Sequence, residues 1–384
     1  MADFAKVNNV AAADIAKVNN VAKAAIANVS GSTTPSSGAT LWCIVGADGA
    51  VATAAASDLN AWTGYVSAEM NNSFDYNTVA YGEDGSGGPM WIAVNINGTK
   101  EIRWNADPTA GIDSWGNKNP TSVMFGATWS DGVWLAVGLN GEMWRSTTGS
   151  GTWTEIDLSG VTGWSSSVNI LEVVGDGAGS FMFCQGMNVF LSTDDGENWA
   201  RVVTFTDAAF AEDGSNLSGY TAYTMAYTAS RWSVFLMKSG QTRLYHAAAS
   251  DTSTWTIAQD ASGDITGTDL IAAQTNARMA AAGGTVVIAV NNDVSRSTDG
   301  GQTFTRANNS LPRLDGRDIA TDGQQNWIVV HDGGRVSIST DDGVTWAEQT
   351  GVQDGSSATN LRFPFGGGNI ENLDSVAANV ILPL

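Results

Sequence analysis

The chain has 384 residues, more than one compact core usually supports, so it forms either two domains or one repeat architecture. Its 44 glycines, 15 tryptophans and 15 % charged residues suit many short strands joined by tight turns. A net charge of −21 repels phosphate backbones and argues against nucleic acid as a partner, and no run of 18 apolar residues is present to form a helical membrane span.

The N-terminus carries a tandem repeat. DFAKVNNVAAA (3–13) is followed directly by DIAKVNNVAKA (14–24) and a truncated AIANVSG (25–31). Phe4, Val7, Val10, Ile15, Val18, Val21, Ile26 and Val29 recur on an eleven-residue period. That period, about 3.67 residues per turn, suits a helix with one apolar stripe. Asp3 and Asp14 suit helix caps, whereas Asn8-Asn9 and Asn19-Asn20 are poor in helix interiors. One continuous helix and a series of short helices both fit. A thin apolar stripe cannot bury itself, so residues 1–30 are expected to anchor the chain to another protein or to self-associate as a homo-oligomer. The Ser/Thr/Gly/Pro-rich stretch at 31–40 reads as a linker. No basic region followed by an apolar run opens the chain, so synthesis in the cytoplasm without a signal peptide is expected.

Seven short apolar runs follow: WCIVG (42), WIAVN (91), WLAVG (134), FMFCQ (181), WSVFL (232), VVIAV (286) and WIVVH (327). Each is rich in β-branched and aromatic side chains and runs into a turn such as ADG, NING or LNG, which is a strand entering a hairpin. They recur every 41 to 54 residues, room for four strands and their turns. The reading is an all-β, seven-bladed β-propeller over 41–367. Innermost strands are expected at NTVAYG, SVMFGA, VNILEVV, AYTMAYT, DLIAAQ and DIATDG. Only linker precedes WCIVG, so the ring is expected to close with a C-terminal strand, TNLRFPFGG (359–367), leaving 368–384 as a tail. Cys43 and Cys184 fall in second strands of blades one and four, too far apart for a disulfide.

An octet recurs in register with these runs. STDDGENW (192–199), STDGGQTF (297–304) and STDDGVTW (339–346) are clean copies, and eroded ones end at Trp62, Trp115, Trp153 and Trp255. Asp accepts backbone N–H groups in a turn, Gly takes positive φ, and the aromatic packs inward at the start of the outer strand. The octet is read as a structural joint between third and fourth strands.

The spacing Ser-x-Asp-x-Gly-x-x-aromatic resembles the Asp box, or BNR repeat, of the sialidase-like β-propellers. The residues that carry the resemblance are Ser192, Asp194, Gly196 and Trp199; Ser297, Asp299, Gly301 and Phe304; and Ser339, Asp341, Gly343 and Trp346. For the sialidases it implies an Arg-Ile-Pro motif near the first blade and six blades. This chain has no Arg-Ile-Pro, and its nearest string, Arg362-Phe-Pro-Phe, lies at the other end. The N-terminal Lys-Val-Asn-Asn-Val units resemble anchors that precede globular domains in tailed-phage virion proteins.

No catalytic, metal or cofactor set stands out. His246 and His331 are far apart and lack companion ligands. The Asp-Gly segments at 84–88, 176–179 and 322–323 read as turns rather than Ca²⁺ loops. The face opposite the octets is expected to carry any ligand, with Trp164, Arg313, Arg317, His331 and Arg335 as its candidates. These features point to a non-enzymatic phage virion component that decorates the particle or attaches to a host-surface glycan. The alternatives are a glycoside hydrolase of the Asp-box kind and, more weakly, a protein resembling the seven-bladed photosystem assembly factors.

Overall fold

In the computed structural model, described for residues 40–59, 61–65, 75–96, 100–110, 112–206, 217, 219–238, 241–260, 277–290, 293–307, 311, 316–331, 335–349 and 373–378, the seven apolar runs form the second strands of seven sheets. They span Leu41–Gly46, Pro89–Asn95, Val133–Gly138, Phe181–Gln185, Arg231–Lys238, Thr285–Val290 and Trp327–His331. Their residues are buried almost without interruption, because each sheet is covered on both faces by its neighbours. Trp42, Trp91, Trp134, Trp232 and Trp327, at or near the start of five of these strands, are all but inaccessible to water. The Trp134 indole donates to the Glu83 carbonyl at 2.8 Å, linking blade three to blade two.

The innermost strands are Leu373–Ala378, Tyr76–Glu83, Met124–Ser130, Val173–Gly175, Thr221–Thr228, Arg278–Ala282 and Gly316–Thr321, for blades one to seven. Each touches its neighbours on both sides, so they form a closed ring around a central channel. Blade six is five-stranded: Gln259–Asp260, just after the outer strand of blade five, pairs in parallel with Thr303–Phe304 and ties the two blades together. All-β architecture, seven blades and C-terminal closure are as expected.

Three inner strands differ from the sequence reading. The closing strand is Leu373–Ala378, antiparallel to Leu41–Gly46, and lies within the stretch expected to be a tail. Inner strands crowd around the channel, so small residues such as Ser375, Ala377 and Ala378 suit the place; TNLRFPFGG carries bulk and a Pro that cannot donate to a ladder. Residues 359–367 lie outside the described residues. In blade six the inner strand is Arg278–Ala282 rather than DLIAAQ (269–274), which also lies outside them. The register is set by Gly283-Gly284, whose φ of 57° and 91° make the two-residue hairpin that pairs Ala282 with Thr285. In blade four the inner strand is Val173–Gly175, so only Val173 and Val174 of VNILEVV (168–174) are strand. The residues before it are drawn into the preceding loop, where Ile170 N–H donates to Gly138 and Gln185 Nε2 to the carbonyls of Ser165 and Val168. The eleven-residue repeat, with Phe4, Val7, Val10, Ile15, Val18, Val21, Ile26 and Val29, lies outside the described residues.

The octets sit between third and fourth strands and share one geometry. Ser192, Ser297 and Ser339 each accept the N–H of the box glycine at 3.0, 2.9 and 2.9 Å and donate to the box Asp at 2.8, 2.7 and 2.8 Å. Each Asp accepts the backbone N–H four residues on, from Asn198, Thr303 and Thr345. Gly196, Gly301 and Gly343 have φ of 76°, 87° and 80°, the left-handed region. Trp199 and Trp346 indoles donate to the carbonyls of Gly196 and Gly343. The octets act as joints.

Candidate functional site: the central channel

Each inner strand is entered from the same face of the ring, so equivalent positions on the seven strands share one depth in the channel. Residues early in their strands or just before them, among them Asn77, Glu172, Tyr223, Arg278 and Asp318, gather towards one end. Tyr81, Trp129 and Tyr227, late in theirs, gather towards the other. The cavity holds about 420 Å³. One end is therefore polar and charged, the other aromatic.

At the polar end the walls are fixed by hydrogen bonds between blades. Asn77 Nδ2 and Thr78 Oγ1 both donate to the Phe125 carbonyl at 2.7 Å. Met225 N–H of blade five donates to Glu172 Oε2 at 2.7 Å, and Val376 N–H of the closing strand to Asp318 Oδ2 at 3.1 Å. Arg278 Nη1 donates to the Ala277 carbonyl at 3.0 Å, and its guanidinium carbon lies 5.8 Å from the Tyr223 ring centre. Glu172 keeps some contact with channel water but is surrounded by protein. That enclosure pushes its pKa up to about 7; the Arg278 charge, the Met225 N–H and the Thr224 hydroxyl oppose the rise, and the Asp318 charge adds to it.

At the other end Tyr81 leans on Trp91 (5.0 Å between centres) and Tyr227 on Trp232 (4.6 Å). Burial raises both tyrosine pKa values. A Cβ on Gly82 would fall inside the Trp129 side chain, so only glycine lets that ring approach blade two. Trp129 Nε1 is enclosed with no acceptor among the described residues.

Of the residues expected on a ligand face, His331 and Arg335 are register partners in the second and third strands of blade seven, and Arg317 lies at the bulge next to Gly316, which pairs with His331. Trp164 is partly buried beneath its own loop, packed on the core between blades three, four and five. His331 is wholly buried, with Nε2 2.8 Å from Ser337 Oγ, because it occupies the last place of a second strand that is covered on both faces. Arg335 pairs with Glu348 at 3.3 Å along its own blade. Arg317 lies on the inner strand of blade seven, and Arg313 lies outside the described residues. His246, in the third strand of blade five, is held neutral at a pKa of about 4 by burial and by Arg231, with Asp299 opposing. Cys43 and Cys184 are buried free thiols, both pushed up by burial.

Sequence reading missed Glu172, Arg278 and Asp318, together with the aromatic end. One signal was present: AYG, TWS and AYT place an aromatic at the same depth of three inner strands. Another was the single carboxylate of NILEVV amid apolar neighbours.

No protein-family profile and no curated protein matches the chain. Solved structures do. Apo AztD from Citrobacter koseri is similar at a TM-score of 0.52 and 10% identity, over 88% of this chain and 98% of that one. YCF48 from Cyanidioschyzon merolae is similar at 0.50 and 16%, over 72% and 84%. YCF48 bound to D1 peptide is similar at 0.48 and 13%, over 71% and 80%. At these identities the likeness is one of fold, a β-propeller.

Proposed function

We propose that the chain is a non-enzymatic component of a phage virion, in which the segment 1–30 attaches an Asp-box propeller to the particle for decoration or for attachment to a host-surface glycan. The observation that supports this most is where the ring closes. Its first described strand begins at Leu41, and the inner place beside that strand is filled by Leu373–Ala378. Blade one is thus completed from within residues 41–378, and on this reading the tandem repeat serves attachment to other virion proteins or to further copies of the chain. The shared Ser-Asp-Gly-aromatic geometry of the three octets supports the Asp-box assignment.

An antibody against the ring tests the reading on particles banded from the culture that makes the chain. Retention in the particle band through washing is expected; recovery only in the particle-free lysate would remove the virion assignment. A glycoside-hydrolase reading draws on the paired carboxylates Glu172 and Asp318 in a cavity. Chromogenic glycosides separate the two: no turnover is expected, and turnover lost in Glu172→Gln would favour the enzyme.

A further inference from the structure

We infer that the central channel is a binding site for a small carboxylate with an apolar body, its head taken by Arg278 and its body laid against Tyr81, Trp129 and Tyr227. The inference rests on how hydrogen-bonding capacity is distributed within the channel. The two acids are already served from the backbone, Glu172 by Met225 N–H and Asp318 by Val376 N–H. Arg278 is not. Among the described residues its guanidinium, with five N–H donors, meets one backbone carbonyl and the face of Tyr223, and no carboxylate within ion-pair distance. What Arg278 leaves over is N–H donors rather than net positive charge, and an acceptor-rich anionic head fills them.

A carboxylate matches that surplus best, because the planar fork of a guanidinium binds both of its oxygens in parallel. The cavity, about 420 Å³, lies in the range that encloses a small organic molecule. Its far end offers three aromatic side chains, Tyr81, Trp129 and Tyr227. Polar head and apolar body are thus provided for at opposite ends of one cavity. The site is lined by inner-strand residues of the ring, so it stands or falls independently of any attachment to a particle.

Protonation of Glu172 bears on the same site. The charged groups facing its carboxyl are Arg278 and Asp318, and the Cys184 thiol lies within reach of its charge. Below neutrality Glu172 loses its charge, which removes its repulsion of an anionic head. A carboxylate ligand therefore binds more tightly at pH 6 than at pH 8.

Three probes with the full chain test the inference by calorimetry and ligand-observed NMR: 3-phenylpropionate, 2-phenylethylamine and acetate. One saturable site per chain is expected for 3-phenylpropionate, weaker binding for acetate, and none for the amine. Arg278→Gln weakens 3-phenylpropionate by roughly 10- to 100-fold. Arg278→Lys, which keeps the charge if the Gln variant does not fold, weakens it less but measurably. Absence of saturable 3-phenylpropionate binding up to about 10 mM overturns the inference. Equal or tighter binding of the amine does so too, as does binding indifferent to both Arg278 variants.

Discussion

At the scale of single residues, Asp342 shows why a residue other than glycine is kept in a left-handed turn. Its φ is 60°, a conformation in which glycine carries no steric cost. Yet every polar atom is used: its N–H donates to Gln325, its carbonyl accepts Arg296 Nε at 2.6 Å, and its carboxylate accepts Arg296 Nη2, Thr285 Oγ1 and the Trp327 indole. Asp195 of blade four, φ 61°, repeats the theme by accepting Arg145 Nε at 2.7 Å from blade three. Blade six has Gly300 in the same place. Asp342→Gly therefore destabilises, by about 1–2 kcal/mol in urea unfolding, although glycine suits the turn better. No loss of stability would show that the side chain contributes nothing to the joint between blades six and seven. The pattern is legible in hindsight, since Arg-Ser in blades three and six precedes Asp-Asp in blades four and seven.

Two residue-scale predictions concern pH, with opposite signs. Burial raises the pKa of Asp299, but hydrogen bonds from Thr303, Ser297 and Gln302 outweigh it and leave it below the usual carboxylate range. Its contribution is complete above the unfolded value, about 3.9, and is lost as pH falls through the lower folded value. The stability gap between the native chain and Asp299→Asn narrows between pH 6 and pH 3; a gap independent of pH would contradict this. Glu172 is the reverse, with a folded pKa of about 7 above its unfolded value. Ionising it costs the folded state progressively as pH rises from about 4 to 7. Glu172→Gln therefore gains stability relative to the native chain over that interval, as read from urea midpoints.

At the scale of elements, the second strands were the most legible because they are covered on both faces and must be apolar throughout. Inner strands face a neighbour on one side and channel water on the other, so Ala, Thr, Tyr and a few charges occupy them and the apolar signal weakens. That is why Leu373–Ala378 and Arg278–Ala282 were missed while WIAVN and WLAVG were not. The channel was illegible for a related reason: each blade contributes a few residues to it, and those of Glu172, Arg278 and Asp318 are far apart in sequence. The octets were legible because hydroxyl, carboxylate, glycine and aromatic all act within eight residues. Trp199, which packs on Phe183 at 4.8 Å between ring centres, tests the aromatic's share. Trp199→Ala should cost about 3–5 kcal/mol in urea unfolding. Gly82 and Trp129 form a coupled pair across two strands: Gly82→Ala destabilises the native chain and costs markedly less in a Trp129→Ala background. Equal costs in both backgrounds would show that the two do not meet.

At the scale of the whole molecule, closure decides how the chain is organised. A ring of sheets has no open edge only if its first and last blades join, and here Leu373–Ala378 completes blade one beside Leu41–Gly46. The division of the chain into units at 39 and 40 coincides with the start of the ring. Thermal unfolding of the full chain, of residues 40–384 and of residues 1–372, compared side by side, tests this most directly. If the C-terminal strand closes the ring, 40–384 melts within about 2 °C of the full chain, whereas 1–372 melts roughly 10 °C or more lower. Unchanged melting of 1–372, or collapse of 40–384, would contradict closure from the C-terminus and reassign the closing role to the N-terminal segment.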